Sequence, residues 1–201
     1  MRTALILVDI QPDFMPGGAL AVPDGDAVVA PALKHIDSGD YDVIVATQDW
    51  HPPGHESFAS AHAGDEIGSL VELHGLPQVL WPDHCVQGSP GARLHDDLPK
   101  ERIDRVFQKG TDPEVDSYSG FYDNGRRHST GLADYLREQG ISAVTVLGLA
   151  TDYCVKWTAL DAAAEGFAVR LDTSACRGVD LQPGDVDKAL AELKQAGVDL
   201  L

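Results

Sequence analysis

Four short apolar runs in this 201-residue sequence each end in residues that can do chemistry. Asp9 closes TALILVD (3–9), and Asp49 and His51 follow DVIVATQ (42–48). Lys109 closes IDRVFQK (103–109), with Gly110 next, and Cys154 lies in GLATDYC just after AVTVLG (143–148). A thiol in the first turn of a helix meets unpaired N–H groups and the positive end of the helix dipole. Both favour thiolate, so Cys154 is the candidate nucleophile. Asp9 is the candidate base, taking the thiol proton and later passing it to a departing amine. Partial desolvation would raise its pKa toward that task. Lys109 would offset the buried charge and orient the acid, and Gly110 marks a turn or a close backbone approach. Asp49 and His51, with His84 from WPDH, offer oxygen and nitrogen donors suited to Zn2+, Fe2+ or Mn2+, with water completing the set. Attack on a carboxamide builds a negative oxygen, for which the backbone N–H groups of Cys154 and of a residue just before its helix are natural donors. Singly, each residue has a commoner role: a lone cysteine is usually a small buried hydrophobe. Convergence from four strand ends is what favours chemistry, because open α/β sheets bind ligands beyond the carboxyl ends of their strands.

The elements that position these residues follow from hydrophobic patterning. The four runs read as strands, as do FAVRLD (167–172) and the terminal VDLL. Continuous apolar character in TALILVD predicts a strand buried on both faces. Helical spacing is expected at 27–36, 129–139 and 185–195, and Asp152 is expected to cap a helix reaching Glu165. Strands alternating with helices predict α/β architecture: a three-layer α/β/α arrangement with a mostly parallel sheet of about six strands. Segment 49–102 breaks the rhythm, being rich in Pro, Gly and His, and reads as a functional irregular insert. No repeat or linker divides the chain, so residues 1–201 are read as one domain.

Charge and cysteine usage narrow the classes. Fifteen Lys and Arg against 32 Asp and Glu give a net charge of −17, which argues against nucleic acid as a partner. Cys85, Cys154 and Cys176 are too few and too widely spaced for a disulfide framework, which suits a reducing, cytoplasmic setting. No apolar run approaches a membrane span. The N-terminal TALILV is too short for a signal peptide and is soon interrupted by Asp9, Gln11 and Asp13, so it reads as strand. Among the remaining histidines, His35, His95 and His128 are expected at the surface. His55, His62 and His74 stay open because they share the insert.

Five stretches together carry a resemblance: LILVDIQPDFMPGGAL (5–20), VIVATQDWHPPGHESFAS (43–60), WPDHCVQGSPGA (81–92), FQKGTDPEVDSYSGFYDN (107–124) and VLGLATDYCVKWTALDA (146–162). The chain resembles the nicotinamidase/pyrazinamidase branch of the isochorismatase-like cysteine hydrolases over nearly its whole length. The resemblance implies a triad of Asp9, Lys109 and Cys154 and metal ligands Asp49, His51 and His84, with zinc as the metal and iron or manganese as alternatives. It implies a cis peptide between Leu149 and Ala150, aiming the Ala150 and Cys154 N–H groups at the oxyanion. It places Phe14, Leu20, Trp81, Tyr118 and Tyr153 around the substrate. Some relatives supply a third histidine to the metal. Here Ser57 resembles that position, and His55 is the second choice. The implied reaction is hydrolysis of nicotinamide to nicotinate and ammonia, with pyrazinamide as a second substrate, in NAD salvage. Another amide or ureido hydrolase of the same fold, a non-catalytic metal-binding relative and a redox sensor at Cys154 are the rivals. A small molecule is the expected partner, and monomer and homo-oligomer both stay open.

Overall fold

A computed structural model describes residues 2–201. Six strands form one parallel sheet: β1 (Arg2–Val8), β2 (Val43–Asp49), β5 (Arg105–Lys109), β6 (Ile141–Leu149), β7 (Ala168–Arg177) and β8 (Asp199–Leu200). Their spatial order is β5-β2-β1-β6-β7-β8. Helices α1 (Val29–Ser38), α2 (Leu132–Glu138), α3 (Lys156–Ala164) and α4 (Asp185–Gln195) cover the sheet. Successive strand residues point to opposite faces. Ala4, Leu5, Ile6, Leu7 and Val8 are all fully buried, so helices must cover both sides of β1. The six-stranded α/β architecture expected from the sequence is therefore present. Among the described residues no helix is long and apolar enough to cross a membrane.

Strand order creates the site. The chain leaves β1 toward β2 on one side, and β6 docks on the other, so the sheet changes direction at β1. That switch point opens a crevice at the carboxyl ends. Register then sorts the side chains: Asp49 on β2 pairs with Lys109 on β5, and Val8 pairs with Gly148 on β6. Gly148 is required there, because a Cβ would stand 2.1 Å from the Val8 carbonyl oxygen, at a φ of +127°.

Segment 49–102 is less irregular than its composition predicts. It contains an antiparallel hairpin, β3 (Leu70–Leu73) and β4 (Leu76–Val79), joined by His74 and Gly75. Both turn residues have positive φ, +52° and +80°, as a two-residue hairpin turn demands. Pro77 is tolerated because the ribbon is two-stranded, so its nitrogen, which has no hydrogen to donate, can sit on an unpaired edge.

Two other expectations are corrected. Asp152 does not cap a helix. Residues Thr151–Val155 form one wide turn before α3, in which the Ala150 carbonyl accepts the Val155 N–H five residues on, at 3.1 Å. The Asp152 carboxylate instead accepts from Val179 and Asp180. His35 is not a free surface residue either. It bridges the Tyr41 hydroxyl (2.7 Å) and Asp172 (2.8 Å), because α1 packs against β7.

Candidate active site

Asp9 follows β1 directly and takes a left-handed backbone conformation (φ +48°) with no exposed surface. Its N–H donates to Thr47 Oγ1 (3.2 Å), and that hydroxyl donates back to Asp9 Oδ1 (2.6 Å). The other oxygen, Oδ2, lies 2.9 Å from Lys109 Nζ. Lys109 is buried with its ammonium fully occupied. It donates to Asp49 Oδ1 (2.7 Å) and to the Ser117 carbonyl (2.8 Å), and stands 3.4 Å from Cys154 Sγ. One cation thus ties together the ends of β1, β2 and β5 and the turn after β6.

The electrostatics assign protons. Burial raises the Asp9 carboxyl above its ordinary value, opposed by the Lys109 ammonium and reinforced by Asp49. Burial pushes the Cys154 thiol well up; Lys109 opposes this, while the Asp9 and Asp49 carboxylates add to it. This reverses the argument from the helix dipole, which favoured thiolate. Burial therefore favours the Cys154 thiol over the thiolate, and a base would be needed to activate it as a nucleophile. Lys109 is held charged, well above its usual range, because its two carboxylates outweigh the cost of burial.

A second cluster adjoins the first. Asp49 Oδ2 lies 3.3 Å from His51 Nε2 and 3.4 Å from His84 Nε2, and all three residues are buried. Their ligand atoms fall within 4.8 Å of one another. The opposite ring nitrogens are anchored: His51 Nδ1 on the Gly110 carbonyl (2.9 Å) and His84 Nδ1 on the Pro82 carbonyl (2.8 Å). A carbonyl can only accept, so each Nδ1 carries hydrogen and each ring, once neutral, offers its Nε2 lone pair inward. The His51 Nε2 and His55 Nε2 atoms are buried without a hydrogen-bond partner. Burial disfavours a charged His51, but the Asp49 carboxylate overrides it and holds the imidazole at about 9. An orphaned nitrogen, a carboxylate oxygen and a second oriented imidazole are the donor set of a divalent transition metal. Gly110 permits it: a Cβ there would lie 2.4 Å from His51 Cε1, so the close approach inferred from sequence is real.

Ser57 and His55 lie beside this cluster. Ser57 Oγ is 2.8 Å from His55 Nδ1, and the His55 and His51 ring centroids are 4.5 Å apart. Asp116 stands on the same side, with Oδ1 4.0 Å from His51 Nε2. His62 bonds the Glu56 carbonyl and His74 the Glu56 carboxylate, so neither reaches the cluster.

Both clusters face one small cavity. Phe14, Leu20, Trp81, Tyr118 and Tyr153 line it together with Val22, Asp49, His84, Asp116, Ala150, Cys154 and Val179. Trp81 and Tyr153 pack edge to face with centroids 4.9 Å apart, and Trp81 Nε1 donates to the Tyr118 hydroxyl (3.2 Å). The Leu149–Ala150 peptide is cis. Phe14, Leu20, Asp49, Trp81, His84, Tyr118, Ala150, Tyr153 and Cys154 line this cavity, with Asp9, His51, Ser57 and Lys109 in contact with them from behind, while His55 packs on His51. Thr47, Gln11 and Asp116 were not singled out. Gln11 reads both edges of the site, accepting from Asp49 N (2.8 Å) and donating to the Asp49 (2.9 Å) and Ala92 (2.8 Å) carbonyls. Threonine inside an apolar strand looks like an ordinary strand former, so no sequence signal marked Thr47.

Known proteins share the family and the fold of this chain. The isochorismatase domain model matches residues 3–201. The nicotinamidase of Escherichia coli K12 is 53% identical over 199 residues, covering 98% of this chain and 93% of its own length. The yeast nicotinamidase, solved with the inhibitor nicotinaldehyde, superposes with a TM-score of 0.93 at 32% identity, covering 99% of each chain. The pyrazinamidase of Pyrococcus horikoshii, solved with zinc, superposes with a TM-score of 0.80 at 40% identity, covering 100% of this chain and 99% of its own.

Proposed function

The chain belongs to the isochorismatase family, and from that premise we propose that it hydrolyses nicotinamide to nicotinate and ammonia, and pyrazinamide in the same way, in NAD salvage. The observation that carries the chemistry is the buried Asp9–Lys109–Cys154 contact set opening on an aromatic cavity. Asp9 takes the Cys154 proton as sulfur attacks the carboxamide carbon. The Ala150 and Cys154 N–H groups receive the developing oxyanion. Asp9 returns the proton to the departing ammonia, leaving a thioester on Cys154. Water, deprotonated by Asp9, then cleaves the thioester to give nicotinate and restores the thiol. Lys109 stays charged throughout and holds Asp9 in place.

Asp49, His51 and His84 would hold the metal, with zinc our choice. His55 or Ser57 would stand next to it. The ion would supply an electrophilic site for the lone pair of the pyridine nitrogen. Phe14 and Trp81 would flank the ring, and Leu20, Tyr118 and Tyr153 would close the cavity around it. A cytoplasmic setting belongs to the same reading, because all three cysteines are free.

Four measurements test this reading. Purified protein should release ammonia from nicotinamide; a folded, metal-loaded protein that releases none would move the activity to another amide. Dialysis against a chelator should remove a stoichiometric ion and raise KM for nicotinamide, with recovery on adding zinc. His84→Ala should weaken metal affinity by more than the about 10- to 100-fold that losing an outer-shell partner costs, because it removes a ligand itself. Because His51 sits at about 9, loading the metal must release a proton, so metal affinity should weaken as pH falls. Full activity in a metal-free protein would overturn the metal assignment.

A further inference from the structure

Asp152 lies two residues before the nucleophile, and the reaction set out above makes no use of it. It is a buried carboxylate whose two oxygens are both committed to one loop. Oδ1 accepts the Val179 N–H at 2.9 Å, and Oδ2 accepts the Asp180 N–H at 2.7 Å. That loop follows β7, and Val179 lines the same cavity as Ala150, Tyr153 and Cys154. Backbone lies close against the carboxylate: a Cβ on Gly178 would stand 3.0 Å from Asp152 Oδ1 and 2.2 Å from Val186 Cγ2. Asp180 extends the fixing toward α4. Its own Oδ1 accepts the Gly184 (3.1 Å) and Val186 (3.2 Å) N–H groups.

We propose that Asp152 is a positioning residue that locks the cavity wall at Val179 to the turn carrying Cys154, so that closing the cavity and placing the nucleophile are one event. The inference rests on reading the cavity as the nicotinamide site. A carboxylate suits the task because hydrogen bonds from backbone N–H groups to an ionised acceptor are stronger than neutral ones. Asparagine could satisfy only one of the two amides, since its NH2 would face the other. The consequence for a small substrate is direct. A ring with few contacts depends on every wall, and a wall displaced by about 1 Å spoils the attack geometry. Cys154 is only 8% exposed, so a loosened wall would also open it to solvent.

The test compares wild type with Asp152→Asn, Asp152→Ala, Val179→Ala and the Asp152→Ala/Val179→Ala double variant. Steady-state turnover of nicotinamide is read beside the rate of Cys154 alkylation by iodoacetamide, mapped to that residue by peptide mass. Asp152→Ala should raise KM by about tenfold and lower kcat less, with Asp152→Asn between it and wild type. Alkylation of Cys154 should quicken severalfold in the same order. Val179→Ala should raise KM as well. The double variant should show less than the sum of the two effects, because both act through one wall. Unchanged KM and alkylation in a folded variant would overturn the proposal. So would additive effects, or a fall in kcat matching only the lost fraction of titratable thiol. If Asp152→Ala fails to fold, Asp152→Asn and Val179→Ala carry the comparison. Absence of ammonia release by wild type would sink the substrate reading, while alkylation, which needs no substrate, would still decide the role of Asp152.

Discussion

Cys154→Ala should release no ammonia from nicotinamide, a loss of about 10,000-fold or more, in a protein that still folds and binds its metal. The size follows from the mechanism. Asp9 and Lys109 have nothing to act on without sulfur: one holds a proton for it and the other holds the first in place. Water entering directly would lack the covalent intermediate that splits one hard step into two. The structural cost is small, because only one buried sulfur atom is removed and the turn around it is set by backbone bonds from Ala150. Cys154→Ser should fail nearly as completely. A hydroxyl keeps the shape, but Asp9 is a far weaker match for its proton. Thermal unfolding should move by only a few degrees while ammonia release disappears. Wild type turning over in hydroxylamine should divert product to the hydroxamate, as a thioester requires. Normal turnover by Cys154→Ala would sink the nucleophile assignment altogether.

The carboxyl end of the sheet was legible because its residues announce themselves twice, by type and by place. Asp9, Asp49, Lys109 and Cys154 each terminate or follow an apolar run, and parallel strands deliver all such ends to one rim. What was not legible depends on register and on loops. Thr47 acts on Asp9 only because β1 and β2 pair in one particular register. The cluster with Asp49 and His51 needs His84, 33 residues beyond His51, and its approach is set by the His51 N–H bond to the Cys85 carbonyl (3.0 Å), a contact no local pattern encodes. Asp152 has the residue type and position of a helix cap, and local rules alone favour that role. Its oxygens went instead to amides 27 and 28 residues away. The hairpin at 70–79 carried a usable signal, a Gly in a two-residue turn between apolar residues, but Pro77 and the polar surroundings masked it. The thiolate argument failed for a different reason. A dipole at a helix start is a modest effect, whereas full burial beside two carboxylates is a large one, and only packing reveals it.

Lys109→Met should cost both activity and stability, and the two losses have separate readouts. Methionine nearly matches the lysine in volume, so the change removes charge rather than packing. What remains is Asp9 with no exposed surface and Asp49 at 4%, both stripped of the ammonium 2.9 and 2.7 Å away. Removing one partner of a buried ion pair costs about 3–5 kcal/mol, and this single lysine serves two partners. Chemical denaturation should therefore show a large fall in midpoint with little change in slope. The molecule has one way to relieve the strain, which is to protonate a carboxyl. Lys109 is the main influence holding the Asp9 carboxyl down against burial, so its loss should raise that pKa further. The base works only when ionised. Residual kcat/KM should therefore fall away on the acid side at a higher pH than in wild type. The sign distinguishes this account from simple misfolding, which would lower activity equally at every pH. Lys109→Arg should restore much of the stability, because a charge returns, but little of the activity. The planar guanidinium cannot place donors on Asp9, Asp49 and the Ser117 carbonyl as the compact ammonium does. An acid limb that stays at the wild-type position in Lys109→Met would show that Lys109 does not set the proton affinity of Asp9.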